Sequence, residues 1–224
     1  MNNTIRQILD IEWEMFHNVN GEERTDCQNQ QETFEKMRTA QFEAWNDDIC
    51  ASYLEDLKNA VADGRSLVRE KYIHMMKNTD PEGYNAFKCE LHDITDEKIE
   101  LTDKIWQHLL SQTERIREKY PVLALGGRPL TAAEEKDWAS VETYQKGELL
   151  TYSVETIKKL LAHIEELEAK GEDIAYTIQK NSILCLGYKT MEEAELAMAA
   201  QFMNELGVTV ENGCPTCKTD NLDY

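Results

Sequence analysis

Chemistry in this chain is suggested first by carboxylates standing where apolar side chains belong. The stretch IRQILDIEWEMFHNV, residues 5–19, reads as a helix whose Ile5, Ile8, Leu9, Ile11, Met15, Phe16 and Val19 recur every three or four positions. Glu12 falls inside that stripe, whereas Glu14 falls on the opposite, polar face. Two further stretches repeat the pattern of a polar residue between two large ones on one face. These are Met37, Gln41 and Trp45, and then Tyr144, Glu148 and Tyr152, each set spaced i, i+4, i+8. Trp13 and Arg38 lie at the edges of the same faces. If the faces converge, Glu12, Gln41 and Glu148 meet in a core lined by Trp45, Tyr144 and Tyr152.

A buried carboxylate is costly unless a cation, a metal or several hydrogen-bond donors hold it. Three readings of the cluster stand side by side. It is a structural polar network, with Arg38 or a tyrosine hydroxyl as the partner of Glu12. It is a pocket whose polar groups face a small molecule. Or it is a metal site, although carboxylate bundles of that kind usually add histidines at E-x-x-H spacing. In an enzyme, a carboxylate raised in pKa by burial, Glu12 or Glu148, would be the natural acid or base.

Other motifs offer less. Glu14-Met-Phe-His17 is the one E-x-x-H match, and no two of the histidines at 17, 74, 92, 108 and 163 share the spacing of a helical metal pair. Cys214-Pro-Thr-Cys217 has the spacing of half a zinc knuckle. Two more ligands would have to come from a second chain, or from Cys185 or Cys27. The alternatives are a redox-labile pair and two thiols with no function. GGRP at 126–129 stands just before Thr131, where a glycine loop could hold an anion or simply turn the chain with a surface arginine. The chain contains no G-x-S-x-G elbow, phosphate-binding loop or dinucleotide fingerprint.

The elements that must position these residues read as helices. Apolar periodicity and caps place them at 5–19, 34–62, 66–77, 81–89, 96–119, 140–170, 173–186 and 191–206. Thr95 caps the fifth, Asp80 with Pro81 opens the fourth, and Thr131–Glu134 and Thr190–Glu193 fit capping boxes. Gly64, Gly171, Gly187 and Gly207 read as helix terminators, and PVLALGGRPL at 121–130 as an irregular linker. VTV at 208–210 is the lone strand-like scrap. Residues 34–68, shifted along the chain, fall on 141–175, so that Glu35, Leu54, Leu57, Gly64 and Leu67 land on Glu142, Leu161, Ile164, Gly171 and Ile174. Both segments read as a long helix, a glycine stop and a shorter helix, which suggests a duplication or two ordinary hairpins with a shared period.

The 224 residues carry 24 Lys and Arg against 43 Asp and Glu, a net charge of −19. No basic stripe offsets that field, so nucleic acid and anionic membrane surfaces are poor partners, and cationic ligands, metal ions or basic protein surfaces are easier to accept. The N-terminus has no uninterrupted apolar segment of the signal-peptide kind, no stretch reaches the length of a membrane span, and the six cysteines are scattered except for the last pair. A cytoplasmic protein with free thiols is expected.

The segments DIEWEMF (10–16), QFEAWN (41–46), EKYIHMM (70–76), TDPEGY (79–84), KYP with GRPL (119–130) and ETYQKGELLTYS (142–153) together resemble an uncharacterised family of helical bacterial proteins, a domain of unknown function. The resemblance covers residues 10 to about 195 and leaves out the C-x-x-C tail. It implies a helical, cytosolic, bacterial protein and carries over no catalytic residue. The sequence therefore predicts an all-α, irregular multi-helix bundle over 1–207, with two related halves and a loose tail at 208–224. Its candidate ligand site is Glu12, Trp13, Arg38, Gln41, Trp45, Tyr144, Glu148 and Tyr152, serving a small molecule or a metal. The competing expectation is an acidic scaffold protein whose polar core is only structural.

Overall fold

The computed structural model describes residues 2–19, 29–133 and 139–205, and the backbone of 208–211 and 214–217. The fold is all-α. Its helices are α1 (Asn3–His17), α2 (Gln31–Phe42), α3 (Asp47–Ala62), α4 (Leu67–Thr79), α5 (Pro81–Phe87), α6 (Asp96–Lys119), α7 (Pro121–Leu125), α8 (Val141–Leu149), α9 (Val154–Ala169), α10 (Ile174–Cys185) and α11 (Met191–Glu205). No helix of the described residues is long and apolar enough to cross a membrane.

The end signals act as their chemistry dictates. The hydroxyl of Thr95 accepts from the Lys98 amide at 3.2 Å, and Asp80 accepts from the Gly83 amide at 3.0 Å. Thr190 caps α11 through the Glu193 amide, while the Glu193 carboxylate reaches back to the Lys189 amide at 2.7 Å. Gly64, Gly171 and Gly187 each take a positive φ, of 69°, 77° and 95°, which a side chain would disfavour. Glu134 and Gly207 lie outside the described residues.

Three expectations need correction. The helices expected at 34–62 and 140–170 are each two helices. Asn46 and Ser153 are the reason, because each side chain caps a new helix, through the amides of Ile49 and Thr156 respectively. A short polar side chain that satisfies orphan amides offers the backbone an alternative to continuing the helix. Periodicity could not show the break, since the same apolar face resumes after it. Trp45 and Tyr152 therefore stand in the turns between helices rather than on a helical face. Second, the linker at 121–130 contains α7, where Pro121 presets the first turn and the Glu195 carboxylate of α11 accepts from the Val122 and Leu123 amides, both at 2.8 Å. Third, the tail holds an antiparallel pair, β1 (Val208–Glu211) with β2 (Cys214–Cys217), in which Val208 faces Cys217 and Glu211 faces Cys214.

The two broken segments correspond residue for residue at an offset of 107. That offset carries Asn46 to Ser153, Asp47–Ala62 to Val154–Ala169, and Gly64 to Gly171. The turn hydrogen bonds correspond too: Ala44 to Gln41 and Trp45 to Phe42 in one segment, Thr151 to Glu148 and Tyr152 to Leu149 in the other. The packing follows suit. Helix α1 lies on α3 as α6 lies on α9, and α3 packs against α9. Helix α4 crosses to pack on α8, and α10 crosses to pack on α2. Each half thus lends its fourth helix to the second helix of the other, so neither half buries its apolar faces alone. The main core, with Ile8, Leu9, Phe42, Ile49, Leu57, Ile105, Ile157 and Ile164, draws on both.

If the caps impose the breaks, Asn46→Ala and Ser153→Ala each lower unfolding stability by about 1 kcal/mol while leaving the helix content unchanged. Urea unfolding followed by circular dichroism checks this, and unchanged stability in both variants would assign the breaks to packing instead.

Candidate functional site

The charged cluster is built by four helices and held at one point by Arg38. Its Nε and Nη2 bind the Glu12 carboxylate as a fork, at 2.7 Å and 2.5 Å. Its Nη1 donates to Glu148 Oε1 at 2.9 Å and to Gln41 Oε1 at 2.7 Å. Glu148 Oε1 also accepts from the Gln41 amide at 3.1 Å and the Tyr152 hydroxyl at 2.6 Å, and Glu148 Oε2 accepts from Lys71 Nζ at 2.5 Å. The Tyr53 hydroxyl donates to Glu12 Oε1 at 2.6 Å. Two carboxylates and two cations balance, and each carboxylate oxygen has a donor. Glu12 and Glu148 are 2% and 4% exposed, so this pairing is what makes their burial tolerable.

The structure thus brings together Glu12, Arg38, Gln41, Glu148 and Tyr152. Trp45 is buried beside them, edge-on to Phe42, Tyr53 and Tyr152, and forms an apolar wall without a polar contact to the cluster. Tyr144 presents its ring face to the Lys71 ammonium, 3.4 Å from the centroid. Trp13 does not reach the cluster; it packs on Phe16, His17 and Phe34 at the surface of α1 and α2.

Two members were missed in the sequence. Lys71 stands one turn after Leu67 and one turn before Met75, the same charge-in-a-stripe signal that singled out Glu12. Tyr53 stands one turn from Ile49 and Leu57, where a hydroxyl among apolar side chains gave no warning. Lys71 reaches Glu148 because α4 and α8 approach closely at Gly147, where an added Cβ would stand 3.2 Å from the Lys71 carbonyl oxygen.

The electrostatics overturn the expectation of a burial-raised acid at Glu148. Burial alone would push its carboxyl up, but the charges of Arg38 and Lys71, with the Lys71 and Tyr152 hydrogen bonds, hold it far below the usual carboxylate range. Burial opposes the Arg38 and Lys71 charges as well, and the carboxylates beside them more than offset it, so both cations are raised. Tyr53 and Tyr152 are pushed well up, first by burial and then by the neighbouring Glu12 and Glu148 charges respectively, which keeps their hydroxyls protonated.

A cavity of about 230 Å³ opens on the cluster, lined by Glu12, Arg38, Lys71 and Glu148 together with the rings of Phe16, Phe34 and Tyr144. Arg128, from the GGRP loop, stands exposed on its rim, with its guanidinium 5.6 Å from the Tyr144 ring and bonded to the Ala139 carbonyl at 3.0 Å. The other motifs fall elsewhere. His163 bonds the Ala44 carbonyl at 3.1 Å and staples α9 to the first turn, while burial pushes His74 down to about 4. Among the described residues no three His, Cys, Asp or Glu side chains are grouped to hold a metal ion. Cys214 and Cys217 stand at the two ends of β2, their side chains outside the described residues.

A helical bundle with a charge-balanced cluster at the meeting of its two halves is the class that this geometry defines. The chain belongs to the family described as protein of unknown function (DUF4125), which it matches over residues 2–196. No curated protein and no solved structure matches it.

Removing the Glu148 charge leaves Lys71 buried without its carboxylate and Arg38 with Glu12 alone, so Glu148→Gln costs about 3–5 kcal/mol. The native pKa of Glu148 lies below its unfolded value of about 4.3, so its contribution is complete above that pH and is lost as pH falls through the native pKa. Thermal midpoints measured from pH 6 downward should fall more steeply below about pH 4 in the wild type than in Glu148→Gln.

Proposed function

We propose that this protein binds a small acidic molecule with a flat or apolar body in the cavity over the Arg38 cluster. The observation that carries this is a local reversal of charge. The chain bears −19, yet the cavity is faced by Arg38, Lys71 and Arg128 against Glu12 and Glu148. Lys71 has three N–H donors and spends one on Glu148; its other described contact is the Tyr144 ring. An anionic group could take the remaining donors together with Arg128, and Phe16, Phe34 and Tyr144 offer surfaces for the body of the ligand. Glu148, ionised and clamped, positions Lys71 and Arg38 rather than moving a proton. The sequence pointed toward cationic ligands and metals from net charge, and the cavity favours the opposite sign.

A structural network without a ligand is the competing reading, and the charge balance of the cluster favours it. The two separate in one experiment. A native mass spectrum of the purified protein, beside its denatured spectrum, should show an extra mass of an acidic compound that leaves on unfolding. Arg128→Ala, on the exposed rim, should weaken retention with stability changed by no more than about 0.5 kcal/mol. Lys71→Met should abolish it. A bare chain mass, with no thermal stabilisation by small carboxylates or phosphates, would leave the structural reading.

A further inference from the structure

The second half of the molecule repeats the pocket as well as the helices. The offset of 107 carries α2–α4 onto α8–α10, and an offset of 97 carries the buried Ile8 and Leu9 of α1 onto the buried Ile105 and Trp106 of α6. Under the same offsets the residues facing the charged cavity land on residues facing another one, of about 610 Å³. Its chemistry is changed throughout. Glu12 becomes Leu109, Arg38 becomes Gln145, and Lys71 becomes Ile178. Tyr53 becomes Leu160, Tyr72 becomes Gln179, and Glu148 exchanges with Gln41. The fold therefore makes a hollow at this place in both halves; cations face it in one half alone, and Glu148 reaches both.

We propose that this second pocket binds an uncharged, largely apolar small molecule with one neutral hydrogen-bonding end, of the type of a long-chain alcohol, ester or amide. Its volume lies in the range of about 300–1,000 Å³ of small-molecule sites. A two-turn helix, about 10 Å across and about 11 Å long, needs more room. The walls are aliphatic on three helices, with Leu109 from α6, Leu160 from α9 and Ile178 from α10. The charge that reaches it, Glu148, already has its oxygens occupied by Arg38, Gln41, Tyr152 and Lys71. Gln145 and Gln179, both half-buried, face the space, and no side-chain partner of theirs stands among the described residues, so two amides are offered to a neutral polar end and no cation is there for an acid. The proposal does not rest on the ligand of the charged cavity.

The test uses the full chain and a neutral fluorophore, N-phenyl-1-naphthylamine. Saturable binding at one site per chain is expected, with displacement by 1-dodecanol at least tenfold stronger than by dodecanoate. Ile178→Trp, which fills the space, should weaken probe binding at least tenfold. Should Ile178→Trp not fold, Gln179→Glu takes its place; it should weaken dodecanol and strengthen dodecylammonium as competitors. No saturable binding overturns the proposal, as do equal displacement by dodecanoate and an affinity indifferent to both pocket variants. Probe affinity that weakens as protein concentration rises assigns the pocket to a second copy of the chain and overturns it as well.

Discussion

The Arg38 guanidinium lies between two carboxylates from distant parts of the chain, and the arrangement of the halves depends on that placement. Glu12 comes from α1, Glu148 from α8, and Lys71 on α4 completes the set from a third direction. None of these charges could be buried alone, because each would lose hydration with nothing in return. Together they are neutral, and every carboxylate oxygen among them has a donor. Apolar contacts hold helices together without fixing register, whereas a fork-shaped guanidinium on a carboxylate accepts few geometries. Arg38 thereby ties α1 and α2 of the first half to α8 of the second.

The exchange of helices between halves explains why such a tie matters. With α4 on α8 and α10 on α2, each half completes the core of the other, and a slip of one would open both. The charged set occupies one of the two equivalent positions, and aliphatic side chains with glutamines occupy the other. Two corresponding sets of helices in this way frame two unlike hollows on either side of the Gln41–Glu148 contact. One is small and charged; the other is larger and apolar. Different side chains on corresponding backbones are enough for this, since helix positions set where the hollows are and side chains set what they accept.

Net charge was a poor guide to the local field. A chain at −19 is expected to attract cations, but most of its described acidic residues lie on solvated surfaces, where water and salt screen them. Inside the cavity, Lys71, Arg38 and the rim residue Arg128 outweigh two carboxylates.

Much of the fold was legible in the chain. Periodicity, Thr95, Asp80 and the three glycines of positive φ placed most helices within a residue or two, because caps and apolar stripes are local physics. The anomaly of Glu12 was legible as well, since a carboxylate in a stripe demands a partner wherever the helix packs. The breaks at Asn46 and Ser153 were hidden because a side-chain cap competes with helix continuation by a small margin that tertiary packing decides. Lys71 carried the same signal as Glu12, but nothing local says which of several polar residues within apolar stripes will meet. That Arg38 and Tyr53 both hold Glu12, that Trp13 stays outside, and that Glu148 is driven deeper into ionisation were settled by helices far apart in sequence. The sequence by itself determined the helices and the misplaced charges; the tertiary structure alone decided their partners, because a desolvated charge takes its energy from groups that only packing brings within about 3 Å.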